Sequence, residues 1–186
     1  MDSLQLALAV LVGFAVAAIA LGFAMGVFWP PRRPAVSLET LLNLRDQLEG
    51  GAYLSNVELY ATCTPVVVEL RTGARGVRYA IQVLNLTVYQ PLPPFFENAS
   101  RLLVVWGNGR AGGLVSNVLV RPSGSGYVVE YANCSRTGRV SKVTIGYAQS
   151  QLVATADTVV VTAPWGTYTY FLGGVREVSV LARPVP

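Results

Sequence analysis

Residues 77–89, VRYAIQVLNLTVY, read as one β-strand: the run is rich in Val, Leu, Ile and Tyr and holds neither Gly nor Pro. It is long for a single strand, which predicts a bulge or bend within it. On both sides the same texture repeats. Val-, Thr- and Tyr-rich runs at 54–61, 65–71, 101–106, 114–121, 127–132, 140–147, 158–162, 167–172 and 175–181 alternate with Gly, Pro, Asn and Ser breaks. Their number and spacing predict a mostly β fold, a two-sheet immunoglobulin-like β-sandwich over 53–186. Gly173 and Gly174 read as a tight hairpin turn, and the Gly-rich stretch 107–113 reads as a loop. That loop lacks the Lys-Ser/Thr and the following helix of a phosphate-binding loop. A domain of roughly 130 residues buries about two-thirds of its extended-chain surface, so it folds without a metal.

Upstream, 30–52 combines a stiff linker, PPRRP at 30–34, with a short amphipathic helix. Ser37 suits its N-cap and Glu39 its first turn; Leu38, Leu41, Leu42 and Leu48 give an apolar face; Gly50 and Gly51 end it.

The segment 4–29, LQLALAVLVGFAVAAIALGFAMGVFW, contains no charged residue. As a helix it spans roughly 39 Å, enough to cross a bilayer, and it exceeds the apolar core of a cleaved signal. Domain 1–29 is therefore expected to be a hydrophobic helix, a filament core or a membrane anchor, stopped by Pro30 and Pro31. Gly13, Ala18, Gly22 and Gly26 are its expected helix–helix packing residues. The last three recur at helical spacing and allow close backbone approach.

Composition narrows the function. Histidine is absent, which removes imidazole-based triads, His metal sites and His-ligated haem or copper. The net charge is +4, but Arg71, Arg75, Arg78, Arg136 and Arg139 are scattered without interleaved aromatics, so no nucleic-acid partner is expected. No cofactor or metal is expected either. The best catalytic candidate is a Ser–Lys dyad of Ser123 or Ser125 with Lys142, lacking the motifs around known dyads; Glu130 and Asp157 have no spacing that pairs them. The chain is read as a non-enzyme.

Two features point outside the cell. Cys63 and Cys134 are the only cysteines, and a single disulfide is the expected use. Asn85, Asn98 and Asn133 each open an N-glycosylation sequon. Against this, Arg32 and Arg33 follow the apolar segment while nothing basic precedes it, and Asp2 offsets the amino terminus. Taken alone, the positive-inside rule would put the β domain in the cytoplasm.

A charge-free N-terminal segment, a Pro break and a sequon-bearing β domain together resemble the archaeal type IV pilins and archaellins. The resemblance implies hydrophobic helices in a filament core and β domains in an outer sheath. It implies partners that are further copies of the chain, a membrane that holds the segment before assembly, and covalent N-glycans. It also resolves the charge conflict, because prepilins carry a short basic leader that is cut off; here such a leader would precede Met1. With Met1 as the mature start, Gln5 stands where bacterial type IV pilins carry Glu, a residue archaeal members often lack. The function expected is an extracellular filament subunit serving adhesion or surface attachment. The competing expectation is a single-pass anchored ectodomain that binds at the cell surface. A filament joined by strand donation is a further variant, with 178–186 as the donated strand.

Overall fold

The computed structural model describes residues 36–51, 58–97, 100–140 and 142–185. The chain divides into two units, Met1–Ala35 and Val36–Pro186. The first lies outside the described residues, and with it the expected helix over 4–29 and its residues Gly13, Ala18, Gly22 and Gly26. Among the described residues no helix is long and apolar enough to cross a membrane.

Strand makes up 65% of the described residues, as the sequence texture predicts, but the strands do not form two sheets. They are β1 (Leu59–Thr72), β2 (Arg75–Val88), β3 (Phe95–Phe96), β4 (Leu103–Gly107), β5 (Gly112–Ser116), β6 (Leu119–Ser123), β7 (Gly126–Cys134), β8 (Gly138–Val140), β9 (Gln149–Ala163) and β10 (Gly166–Val185). All belong to one ten-stranded sheet, ordered β3-β4-β5-β2-β1-β9-β10-β7-β6 with β8 on β1. A further pairing of β2 with β7, Val83 opposite Asn133, closes β2-β1-β9-β10-β7 into a five-strand barrel. The immunoglobulin-like sandwich is thus replaced by a barrel with a side sheet. The physical reason is that β7 pairs parallel with β10, from Tyr127–Val178 to Cys134–Val185. Strand number and spacing carry no information about such a long-range parallel pairing.

The stretch 77–89 lies where the sheet forks. Along one edge β2 pairs with β1 without a register break, from Thr87–Tyr60 to Arg75–Thr72. Along the other, Val83 meets β7 while Asn85–Val88 pair with β5. The β1 ladder thus shows no bulge there; the length serves two different neighbours. A register break occurs instead in β10, at Gly173 and Gly174, where pairing with β9 slips between Phe171 and Arg176. Their φ values of 69° and 130° are ones only glycine adopts readily, so the expected hairpin turn is a bulge inside one 20-residue strand.

Two prolines sit where a strand is paired on one side only. Pro65, opposite Gln82 of β2, sits in β1 in the gap between the stretch paired with β8 (Leu59–Ala61) and the stretch paired with β9 (Val67–Arg71). Pro184 sits in β10 beyond the last β9 partner of Ala182.

The apolar side chains divide into two clusters. One fills the barrel, with Val66, Val68, Ile81, Val83, Val129, Tyr131, Val159, Val161, Val178 and Val180. The other lies under helix α1 (Leu38–Glu49), where Leu41, Leu44 and Leu48 meet Leu59, Leu84, Leu86, Leu103 and Leu114. The α1 helix follows its sequence signals: the Ser37 hydroxyl accepts from Thr40 N–H at 3.1 Å, and Gly50 caps the C-terminus. Of the expected strand over 140–147, only Val140 is in a strand among the described residues. Val143 and Ile145 are buried, and Gly146 N–H donates to Pro184 O at 2.9 Å instead of joining a ladder.

Candidate functional site

Cys63 and Cys134 form the expected disulfide, with Cα atoms 5.3 Å apart. It ties β1 to β7 beside the point where β7 closes the barrel on β2, since Cys63 lies opposite Leu84 and Asn133 opposite Val83. The carbonyl oxygen of Arg136 lies 3.3 Å from Cys134 Sγ; with no S–H left to donate, this is a polar packing contact.

The sequon residues differ in access. Asn85 is half-buried in β2, and its Oδ1 accepts from Trp106 Nε1 at 3.2 Å. Thr87 of the same sequon is buried, so an enzyme that reads all three positions must act on Asn85 before the barrel forms. Asn133 is half-buried at the closure, and the exposed Ser135 donates its hydroxyl to Val185 O at 2.6 Å. Asn98 lies outside the described residues.

Beside the disulfide is a cavity of about 220 Å³. Leu84, Leu86 and Val143 contribute to its apolar lining, and Arg136, Arg139 and Lys142 give it a basic character. Arg139 is already engaged, its Nε 2.6 Å from Glu58 Oε1. Ser123 ends β6 and Ser125 lies in the turn before β7, whereas Lys142 lies beyond the far end of β7. At about 3.3 Å per residue that strand separates them by roughly 25 Å, so the Ser–Lys dyad does not assemble. Among the described residues no group of three His, Cys, Asp or Glu could hold a metal.

Two buried charge clusters escaped the sequence reading. Glu130, 2% exposed in β7, receives Arg121 Nη2 from β6 and Arg183 Nε from β10, one on each carboxylate oxygen. Arg45 of α1 reaches Glu97 across to the side sheet and Asp46 at 2.9 Å. Burial opposes its charge, but the hydrogen bonds it donates to Glu97 and Asp46 outweigh this and raise its pKa. Hydrogen bonding from Arg45 in turn holds the Asp46 carboxyl below the ordinary range. No local motif marks either cluster; each needs residues brought together from different elements.

The outer surface of β1, β9 and β10 is mostly uncharged. Register places Val67 beside Thr162 and Thr167, and Glu69 beside Val160 and Thr169. The charges there are few: Glu69 is forked by Arg71 at 2.9 and 3.1 Å, which lowers its pKa, and Asp157, Arg176 and Glu177 lie further along β9 and β10. Phe171 is 81% exposed and Tyr147 94%.

No protein-family model, curated protein or solved structure matches this chain.

Proposed function

We propose that the chain is the structural subunit of an extracellular type IV pilus-like filament, similar to archaeal pilins and archaellins, that serves adhesion or surface attachment. The observation that carries this is the charge-free segment 4–29 joined through PPRRP to a disulfide-bonded β domain. Left in water, so large an apolar surface costs far more, at about 25 cal/mol per Å², than the net stability of roughly 5–15 kcal/mol typical of a domain. Copies of the segment packed together remove that cost, and the small side chains at Gly13, Ala18, Gly22 and Gly26 let them approach closely. Before assembly the membrane holds the segment.

The rest of the chain suits an outer sheath. A disulfide persists in oxidising surroundings outside the cytoplasm. N-glycans at Asn85, Asn98 or Asn133 and a mostly uncharged Thr- and Val-bearing face suit a surface that meets neighbours and solvent. The structure bears against the strand-donation variant, because residues 178–185 are committed to β7 of their own barrel. The cavity beside Cys134 favours a second reading, a single-pass anchored ectodomain that binds a ligand at the cell surface. Electron microscopy of sheared cell-surface material separates the two. Long fibres containing this chain support the filament; recovery of the chain only from detergent-solubilised membranes supports the anchored ectodomain.

A further inference from the structure

We propose that the outer edge of β10 over residues 166–172 pairs antiparallel with the same edge of a second copy of this chain, about a two-fold axis at Thr169. One side of β10 pairs with β9, but its other side meets β7 only from Val178 onward. Among the described residues, nothing hydrogen-bonds the backbone of 166–172 on that side. Such an edge is a template for another strand unless it is guarded.

Several other edges are guarded, although the β9 edge over 149–154 and the two-residue β3 carry no charge. The free edge of β2 carries Arg75 and Arg78, β6 carries Arg121 and Pro122, and β8 carries Arg139. Where β9 runs past β1, the β1–β2 turn meets it: Thr72 donates its hydroxyl to Thr155 O at 2.9 Å, and Gly73 N–H donates to Asp157 at 2.8 Å. The β10 edge has no such device. Residues 166–175, GTYTYFLGGV, hold no charge and no proline, and Thr167, Tyr168, Thr169 and Phe171 are exposed.

The sequence of this edge complements itself. Gly166 and Gly173, at φ 154° and 69°, bound the extended segment. Antiparallel pairing about a two-fold axis sets one residue opposite itself. Centred on Thr169, it places Thr167 opposite Phe171 and Tyr168 opposite Tyr170. Thr–Thr and aromatic pairs are favourable cross-strand neighbours, and no like charges meet. Centring one residue later would set Thr167 against Gly173, where the strand breaks. The result is an isologous contact. It needs nothing from residues 4–29, so it stands or falls separately from the filament reading.

Single cysteines in the full-length chain, in detergent and under mild oxidation, test it on non-reducing gels. Thr169→Cys is expected to cross-link with itself. Thr167→Cys and Phe171→Cys are expected to cross-link when mixed and only weakly alone. Thr169→Lys is expected to weaken the dimer at least tenfold in sedimentation, with the near-ultraviolet circular dichroism of the barrel unchanged. Cross-linking of Thr169→Cys no greater than that of Val153→Cys, placed on β9 away from this edge, overturns the proposal. So does a natively folded Thr169→Lys chain that dimerises as before.

Discussion

Glu130 and Tyr131 are adjacent in β7, and both are buried, at 2% and 3% exposure. Glu130 is held by Arg121 and Arg183, each of which keeps access to water. Glu130→Ala leaves both guanidinium groups without their acceptor and is expected to cost about 3 kcal/mol, the low end for a broken buried pair because the arginines can be rehydrated. Urea denaturation measures it. Burial first, and then the nearby Tyr79, push the Tyr131 phenol up to about 12. A raised pKa favours the protonated form in the folded state. Its stabilisation is complete below about pH 10 and is lost as the pH rises toward 12, a loss on the order of 2–3 kcal/mol. Tyr131→Phe is expected to recover most of that loss. The comparison is the difference in unfolding free energy between pH 9 and pH 11.5. Tyr170, also raised by burial, leaves a residual alkaline limb. Single residues with a local signal were legible in the sequence: Ser37 because capping is a short-range hydrogen bond, and Cys63–Cys134 because two cysteines have one pairing. Glu130 was not, because an isolated acid in a strand looks like a solvent-facing position until β6 and β10 are known to flank it.

At the scale of elements, close backbone approach decides what the glycines do. Gly112 and Gly113 read as loop, yet they begin β5, and the loop shrinks to a turn in which Asn108 Oδ1 accepts from Arg110 N–H and Ala111 N–H. A Cβ on Gly113 would lie 1.8 Å from Leu86 O, so a side chain there forces β5 off β2. Gly113→Ala is expected to destabilise by about 3 kcal/mol or more, the range of a severe core clash, and to lower the thermal midpoint accordingly. The limits of α1 were legible because both caps are local. The start of β9 was not. Residues 149–157, QSQLVATAD, carry a weak strand texture, and they become a strand because β10 pairs with them from Gln149–Ala182 to Ala156–Arg176. Tertiary pairing outweighs local propensity there.

For the whole molecule, the sequence gives the mostly β character and the position of the disulfide but misses the closure. Barrel and sandwich share strand composition and turn spacing; what separates them here is Val83 opposite Asn133 and the parallel β7–β10 ladder. The Cys63–Cys134 bond sits beside that closure and spans a sequence separation of 71. On the chain-entropy view it stabilises by about 4 kcal/mol. The double variant Cys63→Ala/Cys134→Ala is expected to lose that amount in denaturant titration, and the wild-type chain under reducing conditions is expected to match it.

The filament reading depends on apolar segments that bury one another once lipid is gone. The most direct test is the assembly state of the purified full-length chain after detergent removal, followed by sedimentation and negative-stain microscopy. Uniform fibres, with 4–29 protected from proteolysis and the β domain exposed on the outside, are the predicted result. A monodisperse particle that stays soluble only while detergent is present, and never polymerises, would contradict it.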